Sequence, residues 1–276
     1  MSNFIIINLV GGLGNQLFML FNGISYAIDN NKQFLIHLEK NKRDFYFNNF
    51  LNSIKFTIAN NNTIGNAVIK KPYHEELFNY IPLPKDIDFI KGYFQSYKYF
   101  QHNYQIIYNM LNLNSFMNNP KYTLDFPYIS IHIRLGDFIH LPHFNIVLDV
   151  KYYINAIQIL KDKLGDNIYQ FKFLVFGEKI NDDIITSYIN QLDPNLHFIK
   201  IYDLNPISPY QDYEEMIIMS KSSHIIIGNS TFSWWSAYLS SCDIIIHPHK
   251  SKWFAPQVKD KNLIDLFPSN WIEIDY

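Results

Sequence analysis

The sequence predicts an α/β protein made of two Rossmann-like domains that face each other across a cleft. Three observations carry this reading. A short apolar run, Phe4 to Val10, is broken by glycines and followed by a helical pattern and a second apolar run. A second alternation of strand and helix patterns begins at Tyr128. Between them lies Asn112 to Thr123, whose Asn118-Asn119-Pro120 reads as a linker. The domains are expected at residues 1–120 and 121–276, with ligands bound beyond the carboxyl ends of the strands.

The elements follow in order. Phe4 to Val10 is rich in β-branched residues and reads as a buried parallel strand. Gly11-Gly12-Leu13-Gly14 ends it. Leu17, Leu20, Phe21, Ile24 and Ala27 then recur at helical spacing, so Asn15 to Ala27 reads as a helix. Gln33 to Leu38 is a second strand. Asn41 to Pro84 is Asn-rich and weakly periodic, and reads as short elements and loops. Asp88 to Phe94 returns to strand, and Tyr97 to Leu111 to helix. After the linker come a strand at Tyr128 to Arg134, an amphipathic helix at Lys151 to Leu164 stopped by Gly165, and a strand at Phe171 to Phe176. A helix at Asp212 to Ser220, a strand at His224 to Ile227, a short aromatic helix at Phe232 to Ser240 and a strand at Asp243 to Ile246 complete the pattern.

Composition narrows the function classes. Hydrophobic residues make up 48% of the 276 and charged residues 17%, which suits a large packed core and argues against disorder. The net charge is -2 and no Lys/Arg block stands out, so an electrostatic footprint for nucleic acid is absent. Cys242 stands alone, which rules out an intramolecular disulfide and fits a reducing compartment. No apolar run approaches the roughly 20 residues that span a bilayer, and the N-terminus lacks a signal pattern. We therefore expect a soluble, cytoplasmic protein without a transmembrane segment.

Three segments have the residues for chemistry. In Gly11-Gly12-Leu13-Gly14-Asn15-Gln16, Gly12 and Gly14 allow close backbone approach at a helix start, and the amides of Asn15 and Gln16 suit a sugar or phosphate. A tight turn explains the glycines equally well, and the third glycine of a dinucleotide fingerprint is replaced by Leu17. In His132-Ile133-Arg134-Leu135-Gly136-Asp137, strand alternation puts His132 and Arg134 on one side, and the guanidinium fork matches phosphate oxygens. A plain Arg134–Asp137 salt bridge is the competing account. In Gly228-Asn229-Ser230-Thr231, a polar loop precedes a helix. Its residues either cap that helix or direct N–H groups and hydroxyls at a phosphate. Glu178, Asp182 and Asp183 follow a strand end, where an acid can read a ribose or base edge or merely start a solvated helix. The loop histidines lack metal-site spacing.

Taken together and in order, these motifs resemble the α-1,2-fucosyltransferase family. Gly11 to Phe18 is similar to its N-terminal motif, Gly92-Tyr93-Phe94-Gln95-Ser96 with Lys98-Tyr99-Phe100 to its midpoint motif, and His132 to Phe138 to its arginine motif. Leu148-Asp149, Tyr152-Tyr153, Asn229 to Trp235, Trp253-Phe254 and Pro268 with Asn270-Trp271 extend the match to about residue 273. The resemblance implies a GT-B-like architecture, GDP-fucose as donor, inversion at the anomeric carbon, a galactose-containing glycan as acceptor, and no metal or other cofactor. It implies donor contacts at Gly12, Gly14, His132, Arg134, Glu178, Asn229, Ser230 and Thr231, and acceptor contacts at Gln16, Tyr93 and Gln95. Arg134, Asp137 and Asn15 would serve the chemistry. Arg134 would stabilise the leaving diphosphate, Asp137 would orient Arg134 or act as the general base, and Asn15 would position the acceptor or a fucose hydroxyl.

This chain departs from the family in several places. Leu135 stands where a second arginine is usual, Gly177-Glu178-Lys179 where serine and an acidic pair are usual, Gly228 where alanine is common and Ser236 where glycine is common. Leu135 keeps open a transferase for another GDP-sugar or linkage. A non-catalytic GDP-sugar-binding protein is the reading from another class. A dehydrogenase is disfavoured by the missing glycine.

Overall fold

The computed structural model describes residues 3–39, 44–59, 69–76, 78–258 and 262–276. The chain divides into two compact units, Met1–Asn118 with Asp260–Pro268, and Asn119–Lys259 with Ser269–Tyr276. The first division lies two residues from the expected boundary. The excursion of Asp260–Pro268 into the first unit has no counterpart in the sequence reading. Asp265 secures it there. One carboxylate oxygen accepts the Tyr80 N–H at 3.1 Å, and the other pairs with Lys98.

In the first unit, β1 (Phe4–Leu9), β2 (Gln33–Leu38), β3 (Pro72–His74) and β4 (Phe89–Lys91) form a parallel sheet in the order β2-β1-β4-β3. Helix α1 (Leu13–Asp29) is apolar nearly all round and correspondingly buried from Leu13 to Ala27, apart from Asn15. It lies so close to the sheet that a Cβ at Gly23 would fall 2.4 Å from the Ile7 side chain.

The helix expected from Tyr97 to Leu111 is interrupted. A 3₁₀ turn covers Tyr97–Tyr99, where the Ser96 hydroxyl accepts the Lys98 N–H, and α2 begins only at Tyr104 and runs to Met110. Asn103 sits at the break. Its amide nitrogen donates to Ser25 Oγ at 3.1 Å and Asp29 Oδ1 at 2.8 Å, tying the chain to α1. A short helix α3 (Leu113–Met117) closes the unit.

The second unit carries a six-stranded, all-parallel sheet. It contains β5 (Tyr128–His132), β6 (Lys172–Phe176), β7 (His197–Lys200), β8 (His224–Ile226), β9 (Ile244–Pro248) and β10 (Ile272–Ile274), in the order β10-β9-β8-β5-β6-β7. The two outermost strands were not expected. They are three to four residues long and only partly buried, too short to show a period.

The helices are α4 (Val150–Leu164), α5 (Asp182–Ile189), the single turn α6 (Ile201–Leu204), α7 (Asp212–Ser220) and α8 (Thr231–Leu239). Asp149 caps α4 by accepting the Lys151 N–H at 2.9 Å. Trp234 and Trp235 on α8 are fully buried. Trp234 stacks on Tyr238 with ring centroids 4.7 Å apart, and Trp271 packs against it at 5.6 Å. This aromatic block anchors the helix whose start reaches the carboxyl edge of the sheet. Among the described residues, no helix is long and apolar enough to cross a membrane.

Candidate active site

The central strands β5, β6 and β8 end together, and the second segment of interest lies at their carboxyl edge. His132 is buried at the end of β5 and makes a 2.9 Å hydrogen bond through Nδ1 to Ser233 Oγ, with the Phe232 ring 5.5 Å away. Burial, and then the neighbouring Arg134, push the ring down to about 3, so it is neutral at physiological pH.

Arg134, two residues on, is 19% exposed. Its guanidinium pairs with both Asp137 and Glu178 and lies 4.9 Å from the Phe138 ring centroid. The salt bridge that competed with a phosphate clamp is therefore present, and a second carboxylate from the end of β6 joins it. The same-side expectation holds. A Cβ at Gly228 would lie 3.3 Å from His132 Nδ1 and 3.6 Å from Arg134 Cβ.

Three of the departures, Leu135, Gly177 and Gly228, lie where the surroundings leave little room. Leu135 is fully buried, so its side chain belongs to the core and not to the edge. Added Cβ atoms at Gly177 and Gly228 would come within 3.0 Å of the Ile133 carbonyl and 2.9 Å of the His132 carbonyl respectively. Gly136 is pressed against Glu178, since a Cβ there would sit 2.5 Å from Glu178 Oε1. Its N–H donates to Asn181 Oδ1 at 3.1 Å. Glu178 Oε2 is buried with no hydrogen-bond partner among the described residues, a costly state for a carboxylate oxygen.

One acid escaped the sequence reading. Glu215 on α7 has its carboxyl pushed up to about 8 by burial, then by Asp212 and Glu178. An acid in the first turns of a helix reads as solvated from sequence, and no periodicity betrays that this one faces Glu178.

The loop before α8 is more structural than expected. The amide nitrogen of buried Asn229 donates to the Ile146 carbonyl at 2.8 Å and the Lys252 carbonyl at 2.9 Å. That side chain pins two neighbouring loops and offers only its buried Oδ1, which has no partner among the described residues. Ser230 is the N-cap, accepting the Phe232 N–H, and its own N–H turns back to the Gly228 carbonyl at 2.9 Å. Capping thus accounts for Ser230. Thr231, partly exposed, opens the helix.

In the first unit, Gly11 adopts φ +83, a conformation open to glycine, and Gly12 is the N-cap of α1, which buries Gly14. Asn15 is partly exposed and accepts from Gln95 Nε2 at 3.2 Å. Tyr93, 36% exposed, precedes Gln95 by two residues. Gln95 is itself buried, 4% exposed, with its amide nitrogen engaged by Asn15, so of these residues Tyr93 is the most exposed. Gln16 is a correction. It is fully buried, and its Nε2 donates to the Gly11 carbonyl at 2.9 Å and the Asp44 carbonyl at 2.8 Å, so it holds the glycine turn and does not face an acceptor. Among the described residues, no group of three or more His, Cys, Asp or Glu is placed to hold a metal ion.

Two parallel-sheet units with an arginine set between carboxylates at the strand ends are of the GT-B-like glycosyltransferase class. The chain belongs to glycosyl transferase family 11, whose profile matches residues 3–275. It is 26% identical to an alpha-1,2-colitosyltransferase of Escherichia coli over 98% of this chain and 99% of that one. It is 29% identical to the Escherichia coli O-antigen biosynthesis glycosyltransferase WbnK over 85% and 78%. Its fold is similar to that of fucosyltransferase NodZ from Bradyrhizobium, with TM-score 0.52, 11% identity, and 89% and 95% of the two chains covered. A structure of the NodZ alpha-1,6-fucosyltransferase soaked with GDP-fucose gives TM-score 0.51 at 13% identity, covering 91% and 97%.

Proposed function

We propose that this glycosyltransferase moves L-fucose from GDP-fucose to the 2-hydroxyl of a terminal galactose, with inversion to an α-1,2 linkage. The observation that carries the reading is Arg134 at the end of β5, part-buried and aimed by Asp137 and Glu178. In the reaction the bond from C1 to the β-phosphate oxygen breaks as the acceptor oxygen bonds to C1 from the opposite face. The electron pair leaves on the diphosphate, and the hydroxyl proton passes to a base. The transition state has oxocarbenium character, with negative charge growing on the phosphate oxygen. A fork of donors preset at that oxygen stabilises the charge as it develops.

Asp137 orients the guanidinium. Glu178, with its unpartnered Oε2, supplies an acceptor for donor hydroxyl or N–H groups. His132 is neutral and adds no charge there. In the first unit, Tyr93 and Gln95 present an aromatic face and an amide to the galactose, and Asn15 positions a hydroxyl.

The colitosyltransferase relative supports a second reading. Colitose is fucose without its 3-hydroxyl, so the same site chemistry serves a GDP-colitose donor. One screen tests both. The purified protein is given GDP-fucose, GDP-colitose, GDP-mannose or a UDP-sugar, with lacto-N-biose or N-acetyllactosamine as acceptor. GDP release is followed and the product linkage assigned by NMR. We expect transfer from GDP-fucose to the galactose 2-hydroxyl. A preference for GDP-colitose would select the second reading. Binding without product would reduce the protein to a GDP-sugar-binding one.

A further inference from the structure

The loop that carries Tyr93 and Gln95 is bent into a rare conformation, and one carboxylate holds it there. β3 and β4 lie side by side, with His74 opposite Lys91, and the residue just after β3, Glu75, extends the pairing by donating its N–H to the Lys91 carbonyl at 2.9 Å. After Lys91 the chain departs from strand geometry. Gly92 has φ +152 and Phe94 has φ +50, a left-handed value that a bulky residue adopts only when its surroundings impose it.

Glu75 Oε2 accepts the backbone N–H groups of both Tyr93, at 2.7 Å, and Phe94, at 2.9 Å. Two successive N–H groups converging on one charged oxygen is an arrangement an extended strand does not offer. The fit is close. A Cβ at Gly92 would lie 2.3 Å from Glu75 Cβ.

The clamp decides what the loop presents. Phe94 is turned inward, 1% exposed, with its ring against Tyr99 at 5.5 Å and stacked on Tyr73 at 6.3 Å. Tyr93 is thereby left at the surface. Gln95 is carried back to Asn15, which its Nε2 reaches at 3.2 Å. The Ser96 N–H closes the turn on the Phe94 carbonyl at 2.7 Å.

We propose that Glu75 is a positioning residue for acceptor recognition, resting on the reading of Tyr93 and Gln95 as acceptor contacts. Its carboxylate holds the turn at Tyr93 and Phe94, so that Tyr93 faces out and Gln95 meets Asn15 before the glycan arrives. A loop set in advance spares the acceptor the cost of ordering it.

The test compares Glu75→Ala, Glu75→Gln, Glu75→Asp, Tyr93→Ala, Gln95→Ala and the Glu75→Ala/Gln95→Ala double variant. The readouts are acceptor KM and kcat at saturating donor, GDP affinity by calorimetry, and thermal unfolding. Glu75→Ala is expected to raise acceptor KM on the order of tenfold, with GDP affinity unchanged. Glu75→Gln recovers most of the loss, because one amide oxygen can accept both N–H groups. Glu75→Asp, short by one methylene, does not. The double variant should be no worse than the more affected single one, since both act through one loop.

Wild-type acceptor KM in folded Glu75→Ala, while Tyr93→Ala or Gln95→Ala raises it, would overturn the positioning role and leave the acceptor reading standing. Unchanged KM in both Tyr93→Ala and Gln95→Ala would overturn the acceptor reading and the proposal with it. Equal losses of kcat, GDP affinity and melting temperature in Glu75→Ala would show a purely structural residue. If Glu75→Ala does not fold, the contrast between Glu75→Asp and Glu75→Gln decides the matter by the same criteria.

Discussion

Arg134 and Glu178, 44 positions apart in the chain, form an ion pair across the carboxyl ends of β5 and β6. The pair explains why Gly136 has no side chain, because a Cβ there would collide with the Glu178 carboxylate. It also sets the charge of the site. One guanidinium is shared by two carboxylates, and the position that commonly supplies a second arginine is filled by buried Leu135.

Arg134→Ala is expected to leave the fold intact and to lower kcat by ~10²–10³-fold, the range for losing a preset donor at a developing oxyanion. Arg134→Lys recovers little, since a point charge cannot meet both carboxylates and the phosphate in one plane. Steady-state kinetics on variants with unchanged melting temperature check this. Near-normal turnover in Arg134→Ala would remove the phosphate-clamp assignment.

Leu135→Arg does not restore a second phosphate contact. The side chain at 135 is fully buried, so the substitution places an unpaired guanidinium in the core, which costs several kcal/mol, roughly. Denaturant unfolding should show the lowered midpoint. A stable Leu135→Arg protein with tighter GDP binding would refute this placement.

Glu215 gives stability a pH dependence of definite sign. Its folded-state pKa, about 8, lies above the ordinary value of 4.5, so between these the folded chain holds a proton that the unfolded chain has lost. Its contribution is complete below about pH 4.5 and is lost as pH rises through about 8. Glu215→Gln removes that loss. The variant should melt close to wild type at pH 5 and above it at pH 8, by scanning calorimetry. His132 acts with the opposite sign. Its folded pKa, about 3, lies below 6.5, so its contribution is present above about 6.5 and lost as pH falls toward 3. Parallel melting curves for wild type and Glu215→Gln across pH 5–8 would sink the assignment.

Transfer is expected to persist in EDTA. The chemistry proposed for Arg134 assigns the leaving diphosphate to protein donors, and the chain lacks an Asp-x-Asp tripeptide in a donor loop of the second unit. Product formation in the presence and absence of chelator is the measurement. Activity abolished by EDTA and restored by Mn²⁺ would mean that a metal shares the stabilisation of the diphosphate with Arg134.

Much of the architecture was legible in the sequence because its signals are local. Gln33–Leu38 and Asp212–Ser220 form over the residues their patterns specify, and α4 starts one residue before its pattern, capped by Asp149 and ended at Gly165. Each of these depends on the period of burial along a few consecutive residues and on a capping side chain beside them. The family motifs are local in the same way, which is why the glycosyltransferase class could be read before any contact was known.

Tertiary structure alone decided the rest. Gln16 looked like a ligand amide, but its two nearest acceptors, the Gly11 and Asp44 carbonyls, draw it into the core. The 97–111 pattern is interrupted at Asn103, whose side chain bonds to α1 while its carbonyl accepts the Ile107 N–H and opens the helix that follows. The Glu215 carboxyl is pushed up to about 8 because folding buries it, with Asp212 and Glu178 adding to the shift, and Glu75 governs a loop because β3 pairs with β4. Period and capping specify which face of an element is buried. The groups that meet that face come from elements far away in sequence, and their energies arise only once the sheet has assembled.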